Sequence, residues 1–214
     1  MKSIKTVGVA GAGTMGSALA QKFAQKGFKV ILADRAMNFV EKGLDNIRTT
    51  LEEGMERKVF TKQQVEEYFS NIKGTDSLND LKNCDLIVEA IFENFNAKVE
   101  LFNSLNKIIS PDCIVATNTS SFSVTELAKN ISHPERFIGL HFFYHAAKNR
   151  LVEIIPGEKT SAETIASTQI FSVLAGKDAI QCRDSYGFAV NRFFVPWLNE
   201  SCRLFQEGVA GKEE

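Results

Sequence analysis

The run Gly11-Ala12-Gly13-Thr14-Met15-Gly16 restricts this chain more than any other segment. It follows a strand-like stretch, Ile4–Ala10, and opens an amphipathic helical pattern in which Met15, Ala18, Leu19 and Phe23 share a face. Glycines at the first, third and sixth places suit a strand–turn–helix unit. The first makes the turn, the second lets a pyrophosphate approach the backbone, and the third packs helix on strand. Asp34 closes the next strand-like run, Lys29–Ala33. In that context the helix N-terminus faces phosphates and the carboxylate accepts from a ribose, which predicts a dinucleotide held by Gly11, Gly13, Thr14, Met15, Gly16 and Asp34. A 2′-phosphate would meet the Asp34 carboxylate, so NAD is expected over NADP, with Arg35 beside it softening the choice. A tight βα turn without a ligand is the alternative.

The rest of the chain alternates in the same way. Further strand-like runs are Leu86–Ala90, Ile114–Thr117, Phe137–Phe142 and Val152–Ile155. Helical patterns cover Asn38–Arg57, Thr61–Ser70, Asn96–Ile109 and Ser161–Ala175, beside the first at Thr14–Lys26. Strands separated by helices predict βαβ units and an α/β, Rossmann-type doubly wound, mostly parallel sheet. Leu86-Ile87-Val88 is apolar on both faces, as a sheet covered on both sides requires. Thr61…Gln64, Ser123…Glu126 and Thr160…Glu163 fit capping boxes. A wide apolar stripe from Phe188 to Gln206, with Phe193, Phe194, Trp197, Leu198 and Phe205, predicts a helix buried on two sides.

Composition excludes several classes. The 214 residues are 44% hydrophobic and carry a net charge of −1, so no broad basic footprint for nucleic acid exists. No window approaches the ~20 apolar residues of a membrane span. The opening residues run straight into a strand with no signal peptide pattern, and a cytoplasmic protein is expected. Cys84, Cys113, Cys182 and Cys202 are scattered without ligand spacing, which predicts no metal site and buried, reduced thiols.

Two further clusters carry polar chemistry. Thr117-Asn118-Thr119-Ser120-Ser121 follows a strand end, where open α/β sheets bind ligands, although an ordinary polar loop looks the same. His141, twelve residues before Glu153, suits reversible proton transfer if the carboxylate fixes its tautomer. Spacing alone fits a satisfied core histidine equally well.

Taken together and in order, several segments resemble the L-3-hydroxyacyl-CoA dehydrogenase family, which includes 3-hydroxybutyryl-CoA dehydrogenases. They are Gly11–Gly16, Asp34, Glu89–Asn94, Thr117–Ser121, Pro134–Phe143, Leu151–Glu153 and Gly187–Arg192. The resemblance spans essentially the whole chain. It implies NAD-dependent interconversion of L-3-hydroxyacyl-CoA and 3-oxoacyl-CoA, with Ser120, His141, Glu153 and Asn191 on catalytic positions. It implies cofactor contacts at Glu93, Lys98 and Ser120, substrate contacts at Ser120 and Asn191, and looser coenzyme A contacts at Thr50 and Arg57. A non-catalytic NAD-binding relative and a hydroxyisobutyrate-type dehydrogenase are the alternatives.

The sequence departs from the family pattern at Tyr144, where asparagine follows His-Phe-Phe, and at Tyr186, where a proline precedes Gly-Phe. Both departures are expected to reshape acyl-chain selection. By the resemblance, residues 1–184 form the NAD-binding domain with the catalytic histidine, and 185–214 begin an all-helical C-terminal domain. A truncated form is therefore expected, its last helix covered by another chain in a homo-oligomer.

Overall fold

Strands that are apolar on both faces are stable only inside a covered sheet, and every position of Leu86-Ile87-Val88-Glu89 is buried. The computed structural model describes residues 3–213. The strands are β1 (Thr6–Ala10), β2 (Lys29–Ala33), β3 (Ile72–Thr75), β4 (Leu86–Glu89), β5 (Ile114–Thr117), β6 (Phe137–Phe142), β7 (Leu151–Pro156) and β8 (Asp178–Gln181). The helices are α1 (Thr14–Gln25), α2 (Met37–Glu56), α3 (Lys62–Ser70), α4 (Phe95–Leu105), α5 (Val124–Ala128), α6 (Ala162–Leu174) and α7 (Val190–Gln206).

The strands form one sheet in the order β3-β2-β1-β4-β5-β6-β7-β8. From β1 the chain winds outward to β2 and β3, then crosses back to β4. The strand order therefore reverses beside β1, where doubly wound sheets open a ligand crevice. Among the described residues six of the seven pairings are parallel, and only β6–β7 is antiparallel. The expected Rossmann-type sheet is the fold observed.

Alternation along the strands sends side chains into two cores, one on each face. Phe23, Phe28, Phe142 and Phe171 anchor the core under α1 and α6, with Phe23 and Phe171 centroids 5.1 Å apart. Phe102, Phe137 and Phe188 anchor the other. Each fully buried ring of this kind contributes about 1.5–3 kcal/mol, and each edge-on pair roughly 0.5–1.5 kcal/mol more.

Several expectations need correction. Strands β3 and β8 lie at the two edges of the sheet and were not anticipated. Ile72-Lys73-Gly74-Thr75 and Asp178-Ala179-Ile180-Gln181 are short and polar because an edge strand is covered on fewer sides. Helix α5 is only five residues long, too short to show a period. Helix α4 stops at Leu105 rather than Ile109: beyond it the Lys107 and Ile108 amides bond three residues back instead of four, and the Asn106 side chain donates to the Asn130 carbonyl at 2.8 Å.

The capping box at Thr61 and Gln64 is present in full. Ser123 caps α5 through the Glu126 amide. At α6 the cap is Ser161, not Thr160, whose hydroxyl donates to the Phe137 carbonyl at 2.6 Å. The thiols are not all buried either. Cys84 and Cys113 are, with Cys84 pushed up to about 12 by burial, whereas Cys182 is half-buried and Cys202 exposed. Helix α7 has no buried residue, against the expected two-sided burial: it projects from the sheet, and Phe193 and Trp197 are 66% and 61% exposed.

The glycine turn separates two demands. A Cβ on Gly16 would lie 1.7 Å from the Gly11 carbonyl oxygen, whereas one on Gly13 would meet nothing within 4 Å. Gly16→Ala is therefore expected to cost about 3 kcal/mol, a fall of roughly 6–12 °C in Tm by calorimetry. Gly13→Ala should leave the Tm unchanged.

Candidate active site

Register builds the site. Antiparallel pairing of β6 and β7 sets His141 opposite Glu153, so residues twelve apart in sequence meet across one sheet face. His141 Nδ1 lies 2.7 Å from Glu153 Oε2, with the histidine 6% exposed and the carboxylate fully buried. The other oxygen, Oε1, accepts from the Ala189 and Val190 amides, both at 2.9 Å, where α7 begins. Helix N-terminal amides and their dipole favour a negative charge, so the buried carboxylate has partners on both oxygens. Gly187 and Phe188 have φ of +76° and +48°, which turns the chain into α7. The Phe188 ring then packs 5.6 Å from the imidazole and Phe143 packs 4.5 Å from it. No protein group bonds His141 Nε2 among the described residues.

A second network closes the ends of β4 and β5. The pairings Ala10↔Glu89 and Glu89↔Thr117 align the carboxyl ends of β1, β4 and β5. Lys98 Nζ, buried on α4, lies 2.6 Å from Glu89 and 3.1 Å from Glu93. Glu89 also accepts from the Thr117 hydroxyl at 2.6 Å and the Ile91 amide at 2.9 Å. Burial pushes the Glu89 carboxyl above its usual range against the pull of Lys98 and these donors. Glu93 accepts from the Thr119 hydroxyl, the Ser121 hydroxyl and the Ser120 amide. Burial raises Glu93 too, but the Thr119 hydroxyl, Lys98 and the Ser121 hydroxyl outweigh it and hold the carboxyl below its usual range. Asn118 ties the two networks together, its side-chain oxygen accepting from the Phe142 amide at 2.8 Å.

A cavity of about 650 Å³ opens at the ends of β1, β2 and β4, with Gly11, Gly13, Asp34, Arg35 and Phe39 in its wall. Asp34 accepts from the Ala12 amide on one oxygen and the Arg35 amide on the other, both at 2.7 Å. The carboxylate is thus oriented with a lone pair to spare on each oxygen. Arg35 lies over the Phe39 ring, 4.9 Å from its centroid. An open cradle at Gly13, a helix start and an oriented carboxylate suit a dinucleotide.

The remaining anticipated residues divide. Asn191 is half-buried in the first turn of α7, and Ser120 is exposed beside Glu93. Neither is hydrogen-bonded to His141 among the described residues. Thr50 spends its hydroxyl on the Asn46 carbonyl but borders a groove with Tyr144 and His145. Arg57 sits exposed at the C-cap of α2, outside both cavities. Glu89 was not anticipated as a site residue, although a carboxylate ending an apolar strand was a visible signal. The Ala189 and Val190 amides left no signal, since backbone donors carry no sequence identity.

Residues 6–185 match the 3-hydroxyacyl-CoA dehydrogenase NAD binding domain, and residues 187–214 match the C-terminal domain of that family. A 3-hydroxybutyryl-CoA dehydrogenase of Clostridioides difficile is 37% identical over 206 residues, covering 96% of this chain and 73% of the relative. The mitochondrial hydroxyacyl-coenzyme A dehydrogenase of Sus scrofa is 38% identical, covering 99% and 69%. The crystal structure of (S)-3-hydroxybutyryl-CoA dehydrogenase from Ralstonia eutropha superimposes with a TM-score of 0.95 at 38% identity, covering 99% of this chain and 75% of that one. With a switch-point cavity, an oriented Asp34 and the sequence matches in agreement, the chain belongs to the 3-hydroxyacyl-CoA dehydrogenase family of NAD-dependent oxidoreductases.

Proposed function

We propose that this chain oxidises an L-3-hydroxyacyl-CoA to the 3-oxoacyl-CoA, or runs the reverse, with His141 as the proton-transfer group. The observation that carries this is the His141–Glu153 pair at 2.7 Å, buried and backed by two helix amides. Nδ1 is committed to Glu153, so Nε2 takes the proton of the 3-hydroxyl as C3 is oxidised. Glu153 holds the ring's orientation and supports its charged form. Phe143 and Phe188 flank the ring and keep water from it. Ser120 and Asn191 are assigned as donors to the reacting oxygen and the thioester end. The free Ser120 hydroxyl and the half-buried Asn191 support that assignment.

NAD supplies the hydride acceptor when bound. Gly11, Gly13, Thr14, Met15 and Gly16 hold its pyrophosphate, and Asp34 holds the adenosine ribose. Glu93, Lys98 and Ser120 are assigned to its other half. Residues 1–184 make up the NAD-binding domain, and residues 185–214 begin a helical one. Phe193, Phe194, Trp197 and Leu198 of α7 are exposed on a single helix, a patch that favours self-association over a free monomer.

Oxidation of NADH by acetoacetyl-CoA tests the activity. His141→Ala should lower kcat by about 10²–10⁴ with NADH affinity unchanged, by stopped-flow and fluorescence titration. Glu153→Gln should lower kcat as well. A pure wild type that binds NADH without turnover would instead favour a non-catalytic NAD-binding role. Sedimentation velocity at micromolar concentration should show dimers or larger species, and monodisperse monomers would refute association through α7. Tyr144 is 71% exposed beside the groove and is assigned to acyl-chain selection. Tyr144→Asn should change the chain-length profile, and an unchanged profile would count against it.

A further inference from the structure

Residues 143–150 join the strand of His141 to the strand of Glu153 without regular structure of their own. Asp178 holds Arg150 at the far end of this segment, and a buried lysine holds its middle. Lys177, just before β8, is 3% exposed, and its Nζ donates to the Ala146 carbonyl at 2.5 Å and the Asn149 carbonyl at 2.7 Å. The same ammonium lies 5.5 Å from the centroid of Phe142, the residue after His141.

This is an unusual place for a charge. Among the described residues no carboxylate pairs with Lys177: Asp178 beside it is taken by Arg150 at 2.9 Å. The other charged or titratable groups around it are basic: Lys22 of α1 and His145 of the loop beside it, Lys26 against Gly176, and Arg150 and Lys148 next to Lys22 and His145. Burial first, then Lys22, lowers Lys177 from 10.5 to about 8. A buried, unpaired cation opposes folding, so it is tolerated where it secures a geometry that apolar packing would not specify.

The geometry secured is a groove wall. Tyr144 and His145 face Thr14 and Ser17 of α1 and Thr49 and Thr50 of α2 across a groove of about 310 Å³. Thr14 follows the glycine turn directly, so the groove adjoins the nucleotide side.

We propose that Lys177 is a positioning residue for the thioester substrate, clamping the loop so that Tyr144 and His145 wall the groove that receives the substrate beyond its reacting carbons. This rests on the acyl-CoA activity proposed above.

Lys177→Met keeps the unbranched stem of the side chain, one atom shorter, and loses its donors. At pH 7 its Tm should equal or exceed the wild type. That advantage should narrow from pH 8 toward 10.5, where the unfolded wild type alone still holds the proton. Its KM for acetoacetyl-CoA should rise roughly tenfold, because binding must then order the groove wall that the two charge-assisted hydrogen bonds to Ala146 and Asn149 hold in place. Because the chemistry is untouched, kcat should stay within about threefold, with NADH affinity unchanged. In the wild type KM should climb as pH passes about 8, where the ammonium loses its charge, and Lys177→Met should lack that step. Lys22→Gln should move the step to higher pH by removing a repelling charge. Wild-type turnover with an unchanged KM in Lys177→Met, whatever its Tm, would overturn the clamp alone. A wild type without turnover would overturn the proposed activity and the clamp with it.

Discussion

Glu153 is the junction on which the half of this protein around His141 depends. One carboxylate oxygen faces His141 on the neighbouring strand, and the other receives two amides from the start of α7. A carboxylate this deeply buried would be costly without partners, and each partner comes from a different part of the chain. The imidazole orientation, the reversal of β7 and the departure angle of α7 are therefore parts of one arrangement. Displacing α7 would remove two donors from the carboxylate that orients His141. Asn191 sits one residue beyond those amides, so its position follows from the same contact.

The antiparallel β6–β7 pair is the one break in an otherwise parallel sheet, and it has a chemical consequence. Parallel strands bring loops together at their carboxyl ends, which opens the cavity at β1, β2 and β4. Directly opposed side chains from the body of two strands come most closely from an antiparallel pair. Between the two regions, Lys98, Glu89 and Glu93 hold the polar loop after β5 in place, and Asn118 of that loop reaches the backbone beyond His141. Charges buried in such a network are costly individually and contribute order only when each has its partners.

Sheet edges and surfaces show why some elements were hard to read. Apolar runs marked β1, β2, β4, β5, β6 and β7 because those strands are covered on both faces. The edge strands β3 and β8 need less cover, and residues such as Lys73 and Gln181 carry no strand signal. Helix α7 shows the opposite case. Its apolar stripe was plain in sequence, yet none of it is buried within the chain, because periodicity reports that a face is apolar and not what covers it.

The sequence by itself determined the Rossmann-type architecture and the glycine turn between β1 and α1, with Asp34 ending the next strand, since each depends on local patterning and on residues with special backbone or charge. It also brought forward His141 and Glu153 as a pair of interest, though spacing could not distinguish a catalytic couple from a core histidine. Tertiary structure decided that they touch. Register across an antiparallel pair depends on how the whole sheet assembles, and no local pattern encodes it. The same holds for the amides that complete Glu153 and the carbonyls that receive Lys177. Backbone groups are identical at every position, so only the fold selects which of them a side chain will meet.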